Sequence, residues 1–99
     1  MRNRSEAERL LRKASALDVV IIHWTDATGG SDTWIEASEQ ALDVAHVTSV
    51  GFLAKRSDEG VSIIQSFNDI GSIDHYLTVP WGMVNKAAVL ADYSEADAA

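Results

Sequence analysis

An uninterrupted apolar run, Val19-Val20-Ile21-Ile22, opens at Asp18 and turns polar at His23-Trp24-Thr25-Asp26. It reads as one buried strand over about 18–25. Ala27-Thr28-Gly29-Gly30-Ser31-Asp32 follow and can only be a loop. Two tryptophans, Trp24 and Trp34, flank that loop. A buried strand that opens into a small, Gly-rich polar loop makes a binding rim, and is the signature of no particular reaction.

The chain has 99 residues, 46% of them hydrophobic, so one globular domain with one core is expected. Without cysteine it holds neither disulfides nor thiolate metal sites. Residues 1–14 are charged and lack the apolar stretch of a signal peptide. No apolar run approaches the ~20 residues of a membrane span, so a soluble cytoplasmic protein is the expectation.

The formal net charge of −7 is unevenly placed. Residues 1–13 set five cations against Glu6 and Glu8, a balance of +3, which leaves −10 on the other 86. An acidic body disfavours nucleic-acid polymers. A small anion held by backbone N–H groups and one or two basic side chains remains compatible with it. The basic N-terminal segment is read as a solvated helix face.

Helical spacing of Leu10, Leu11, Ala14 and Leu17 predicts a helix over 4–17. Ser5 and Glu8 match a capping box, and Glu6 early with Arg12 and Lys13 late suits the helix dipole. After the first strand and its loop, Asp32 or Thr33 can cap a short helix over about 34–44. Its stripe is Trp34, Ile35, Ala37, Ala41 and Leu42. A second strand is expected at 47–56, with Thr48, Val50, Phe52 and Ala54 as the more apolar face. A hairpin loop at 56–60, with Gly60 at a left-handed position, leads to a third strand at 61–67. Its two faces are Val61, Ile63, Phe67 and Ser62, Ile64, Ser66. The turn 68–72 precedes a fourth strand at 73–79, with Ile73, His75, Leu77 and Val79 on one side. Pro80 ends that strand, since it offers no N–H. Trp81-Gly82-Met83 form a tight turn before a fifth strand at 84–90, and 91–99 form a frayed acidic tail.

Short connections imply an antiparallel meander, and Pro80 with its tight turn supplies the corner of a strongly bent sheet. The predicted fold is therefore α+β: an N-terminal helix plus a small, bent five-stranded antiparallel sheet or barrel with one inserted short helix. This order resembles the Sm-like and SH3-like small barrels, a likeness of fold that implies no function. The edge strands and the apolar face Leu10, Leu11 and Leu17 point to a homo-oligomer.

A second resemblance rests on four stretches: the strand ending Trp24-Thr25-Asp26-Ala27, a short helix with an acidic face opened by Trp34 and running to Ala41, the strand from Thr48 to Leu53, and the element from Val79 to Val84. Together these resemble a group of short uncharacterised proteins encoded by bacteriophages and prophages, over roughly residues 19–90. The resemblance implies a phage origin and, through that context, a protein that acts by binding, either to a nucleotide messenger of host defence or to a host protein. It brings no catalytic residues with it.

Among the residues that carry chemistry, His23 and His75 can lie on neighbouring strands with Asp26 and Asp74 nearby, an arrangement open to general-base work. No nucleophile motif accompanies them, and a structural or surface role is the better reading of all three histidines, His46 included. No zinc-helix spacing occurs. Gly29-Gly30-Ser31 can cradle a phosphate ahead of a helix, but the P-loop ending is missing, and Asp26 and Asp32 oppose an anion. Trp24 and Trp81 are balanced between packing and stacking on a base, whereas Trp34 is read as packing. Ser62, Ser66, Tyr76 and Thr78 give strands three and four a hydroxyl-rich face, open to solvent or to a ligand.

The expectation is a binding protein that is not an enzyme and needs no cofactor or metal. Its ligand would be nucleotide-like, held by Trp24, Asp26, Thr28 and Ser31 from the first loop with Trp81 and Lys86. The alternative is an acidic inhibitor that covers a basic site on a host protein, with Glu36, Glu39 and Asp43 as its contacts.

Overall fold

The structure, a computed structural model, describes residues 4–28, 33–40 and 42–93. It consists of a helix α1 (Arg4–Lys13) and strands β1 (Val19–Asp26), β2 (Ala45–Arg56), β3 (Gly60–Phe67), β4 (Ile73–Pro80) and β5 (Val84–Ala91). One-turn 3₁₀ segments lie at Ala37–Glu39 and Trp81–Met83. Among the described residues no helix is long and apolar enough to cross a membrane.

All pairings are antiparallel, in the order β4-β3-β2-β1-β5, so β1 is central and β4 and β5 are the edges. The barrel does not close, which decides between the open and closed forms expected. The sheet is nevertheless bent. Laid flat, edges four strand spacings apart would be separated by about 19 Å. The residues between Pro80 and Val84 span at most ~14 Å even when extended, and here they form a tight 3₁₀ turn. The edges must therefore approach one another at that corner. Bulges in the β1–β5 and β2–β3 pairings supply curvature.

One face of the sheet carries the core. Val20, Ile22 and Trp24 of β1 meet Leu53, Val61, Ile63, Val79, Val84 and Ala87. Helix α1 lies against β5 and adds Ala7 and Leu11, both fully buried. Leu11 therefore belongs to the chain's own core and is not open to the oligomer contact offered above, whereas Leu10 and Leu17 are half-buried. The helix spans Arg4–Lys13 and so stops short of Leu17, and the side chain of Ser5, expected as its cap, lies outside the described residues. Leu17 adopts φ +70°, and its N–H donates to Leu53 O at 2.7 Å. The buried Asp18 carboxylate accepts from the N–H of Ser15 at 3.0 Å and of Tyr93 at 3.4 Å, holding both chain ends to the start of β1.

The helix expected over 34–44 does not form. The described residues there are exposed, and the one helical turn, Ala37–Glu39, has no side-chain cap. Burial of an apolar stripe stabilises most short helices, and no surface covers this one. Ser31, Asp32, Ala41 and the tail beyond Tyr93 lie outside the described residues.

The faces of β2 are also reversed. Gly51 and Leu53 point into the core, while Val50 is 55% exposed. The register is the cause, because Leu53 lies opposite the core residue Ile63. Phe67, assigned by alternation to the Val61 and Ile63 face, instead meets Phe52 edge-on at 5.1 Å and Tyr93 at 5.8 Å. The second face of the sheet thus holds a partly apolar surface that α1 does not cover.

Candidate binding cleft on the outer sheet face

Strand alternation turns His23 away from the face that buries Val20, Ile22 and Trp24. Across that outer face the register aligns Lys86 of β5, His23 of β1 and Thr48 of β2 in one row. The next row sets Thr25 opposite His46. Asn85 occupies the bulge in β5, and its amide donates to Thr25 Oγ1 at 2.7 Å. His23, His46, Thr48, Asn85 and Lys86 surround a cleft of about 320 Å³, which Trp24 and Val47 complete.

The cleft has the chemistry of an anion site. Among the described residues no carboxylate lines it, although the chain carries 15 acidic residues against 8 basic ones. Lys86 provides a fixed positive charge. His23 Nδ1 and Thr48 Oγ1 are 3.0 Å apart. When the hydroxyl donates in that bond, the imidazole keeps its proton on Nε2, a donor for a ligand oxygen. Among the described residues no three His, Asp or Glu side chains gather as a metal site.

The residues expected at the site separate. Trp24 and Lys86 line the cleft together. The Trp24 ring, however, is buried in the core, and its Nε1 donates to Ser49 Oγ at 3.0 Å, so little ring surface is left for stacking. Asp26, the last residue of β1, pairs with Ala45 and is not among the lining residues. Thr28 donates to Asp43 O at 2.6 Å and closes the base of the long β1–β2 connection. Ser31 lies outside the described residues. Trp81 is buried beneath the Arg12 guanidinium, 4.6 Å from its ring centroid, and donates Nε1 to Ser57 O at 2.8 Å. It packs into the core cluster and does not line the cleft.

The suggested His23 and His75 pair does not exist, because β1 and β4 are separated by β2 and β3. His75 instead contacts Asp74 at 2.8 Å in an exposed pair on the edge strand. His46, Thr48 and Asn85 are the residues that reading the sequence missed. The available signal was alternation along β2, which places His46 and Thr48 on one face. The β1–β2 register then brings that face to His23.

A second, larger depression of about 640 Å³ lies over β3 and β4, lined by Leu17, Ile64, Phe67, Ile73 and Tyr76 with Ser62 and Thr78. It takes in Ser62, Tyr76 and Thr78 of the hydroxyl-rich face noted in the sequence, but not Ser66. No family model, curated protein or solved structure matches the chain.

Proposed function

We infer that this chain is a non-enzymatic binding protein for a small phosphate-bearing ligand of the nucleotide class, held at the cleft of His23, His46 and Lys86. The observation that carries this reading is the gathering of Lys86, two imidazoles, a hydroxyl and an amide around one cleft that no described carboxylate lines, on an acidic protein. Lys86 would meet the phosphate as a point charge. Thr48, Asn85 and the imidazoles would supply directed hydrogen bonds. The resemblance to phage-encoded proteins supports a biological setting in which the protein sequesters a nucleotide signal of host defence inside a bacterial cell.

A thermal-shift titration against mono-, di- and cyclic nucleotides, their nucleosides and inorganic phosphate tests this reading. A ligand at 100 times its Kd raises stability by about 2.7 kcal/mol, several degrees for a chain of this size. Stabilisation by a phosphorylated compound, absent with its nucleoside and lost in Lys86→Ala and His23→Ala, is the expected result. A flat response across the panel overturns it. The acidic-inhibitor reading makes the opposite forecast: charge removal at Glu36, Glu39 and Asp43 abolishes activity while Lys86→Ala does not.

A further inference from the structure

The β1–β2 connection has a surface unlike the rest of the chain. Its base is closed by the Asp26–Ala45 pair and by the Thr28 hydroxyl on Asp43 O. Beyond that base, Trp34 is 99% exposed and Leu42 89%, with Ile35 and Val44 each at 48%. Residues 33–44 also include Glu36, Glu39 and Asp43, and contain no lysine or arginine. This is an arm that presents large apolar side chains together with negative charge. Large exposed apolar groups gathered in one segment mark an interaction surface.

The groove over β3 and β4 is its complement. Its floor and walls include Leu17, Ile64, Phe67, Ile73 and Tyr76, and none of its lining residues comes from the arm. Among the described residues the only charged ones that line it are Lys55 and Arg56. Arg56 is committed to α1, donating to Leu11 O at 2.7 Å and to Ala14 O, so Lys55 is the cation this groove offers an acidic segment. Ile73 is 56% exposed and Tyr76 71% exposed at its mouth.

We propose that the groove receives the 33–44 arm of a second copy of this chain, with Trp34 and Leu42 as its apolar anchors and the arm's carboxylates facing Lys55. Two features select this occupant: an apolar groove whose charged lining, among the described residues, is entirely cationic, and an apolar segment of the same chain whose charge is entirely anionic. Reciprocal exchange of arms closes the pair by two-fold symmetry and leaves no groove open. The contact lies apart from the cleft of His23 and Lys86, so it does not depend on the ligand-binding reading.

Sedimentation equilibrium tests it with wild type, Trp34→Glu in the arm and Tyr76→Glu in the groove. Both sites are exposed, and unchanged far-UV circular dichroism and melting at high dilution verify that each variant folds. Leu42→Glu substitutes for the arm variant, and Ile73→Glu for the groove variant, where either does not fold. The expected result is a wild-type dimer and half that mass for each variant alone. Mixing the arm variant with the groove variant should restore a weaker dimer, because one intact arm then meets one intact groove. A wild type that stays monomeric at high concentration, including one that binds some other protein instead, overturns the proposal. So do variants that remain dimeric, or a mixture that forms no heterodimer.

Discussion

Gly60 shows how one absent side chain holds two strands in place. It stands opposite Pro80 at the first pair of β3 and β4. A Cβ there would lie 2.5 Å from Val79 O and 3.1 Å from Pro80 Cα, both backbone atoms that yield only if the strands part. At Gly82, in the following 3₁₀ turn, a Cβ would meet nothing within 4 Å. Gly60→Ala should therefore lose about 1–3 kcal/mol, as overpacked sites do, while Gly82→Ala leaves stability nearly unchanged. Urea denaturation of the two variants side by side checks the contrast. Reading the sequence placed a glycine correctly at this corner and gave the wrong reason for it. Among described glycines it is Gly71, in the β3–β4 turn, that takes a positive φ of 89°. The left-handed preference of glycine is a local property and can be read from a turn pattern. Close approach of another strand is non-local and cannot. The same limit explains Trp24, whose position beside a loop left packing and stacking equally open until the β1–β2 register showed its indole bonded to Ser49.

Among the elements, α1 is held by its C-terminal end as well as its apolar face. Arg56, at the end of β2, donates to the Leu11 and Ala14 carbonyls, which have lost or are losing helical partners at that terminus. The cation also opposes the negative end of the helix dipole. Arg12, on the last turn, bonds Glu8 at 2.9 Å and covers the Trp81 ring, so helix, β2 and the 3₁₀ corner share one polar seam. Arg56→Ala should cost on the order of 1.5 kcal/mol, the lower end for bonds to a charged group, since the side chain is partly solvated. Hydrogen exchange should show the loss first in the last turn of α1, with β1 amides unaffected. The strands were legible element by element because their turns carry Gly, Asn and Pro at fixed places. The 34–44 segment was not. Its apolar spacing fits a helix, but spacing alone cannot say whether another surface will cover the stripe. In this chain the described residues of the stripe are exposed, and Ala37 among them sits in a single 3₁₀ turn. Of the candidate cleft, Lys86 and His23 were visible as isolated residues. Their neighbours His46 and Thr48 became meaningful only once β2 was paired with β1.

The whole molecule divides into a sheet that supplies the stability and an arm that supplies almost none. Every described residue of 33–40 and 42–44 is exposed, so the core loses nothing when they are removed. Replacing residues 33–42 by a short Gly-Ser turn should change stability by less than about 0.5 kcal/mol, and the shorter loop closes at slightly lower entropic cost. A melting experiment at dilutions where the wild type is monomeric checks this, and the same variant should fail to self-associate at high concentration. The placement of β1 in the middle of the sheet has a further consequence, for synthesis. One side of β1 pairs with β2, the next strand in the chain, and the other with β5, which is made only after β2, β3 and β4. A chain still emerging from the ribosome therefore carries Val19 to Trp24 with one hydrogen-bonding edge open until residues 84–91 arrive. That segment is β-branched and without charge through Ile22, the composition that recruits strands from other chains. A product cut short before Val84 would lack the strand that shields it, so truncation should yield aggregates rather than a smaller soluble domain.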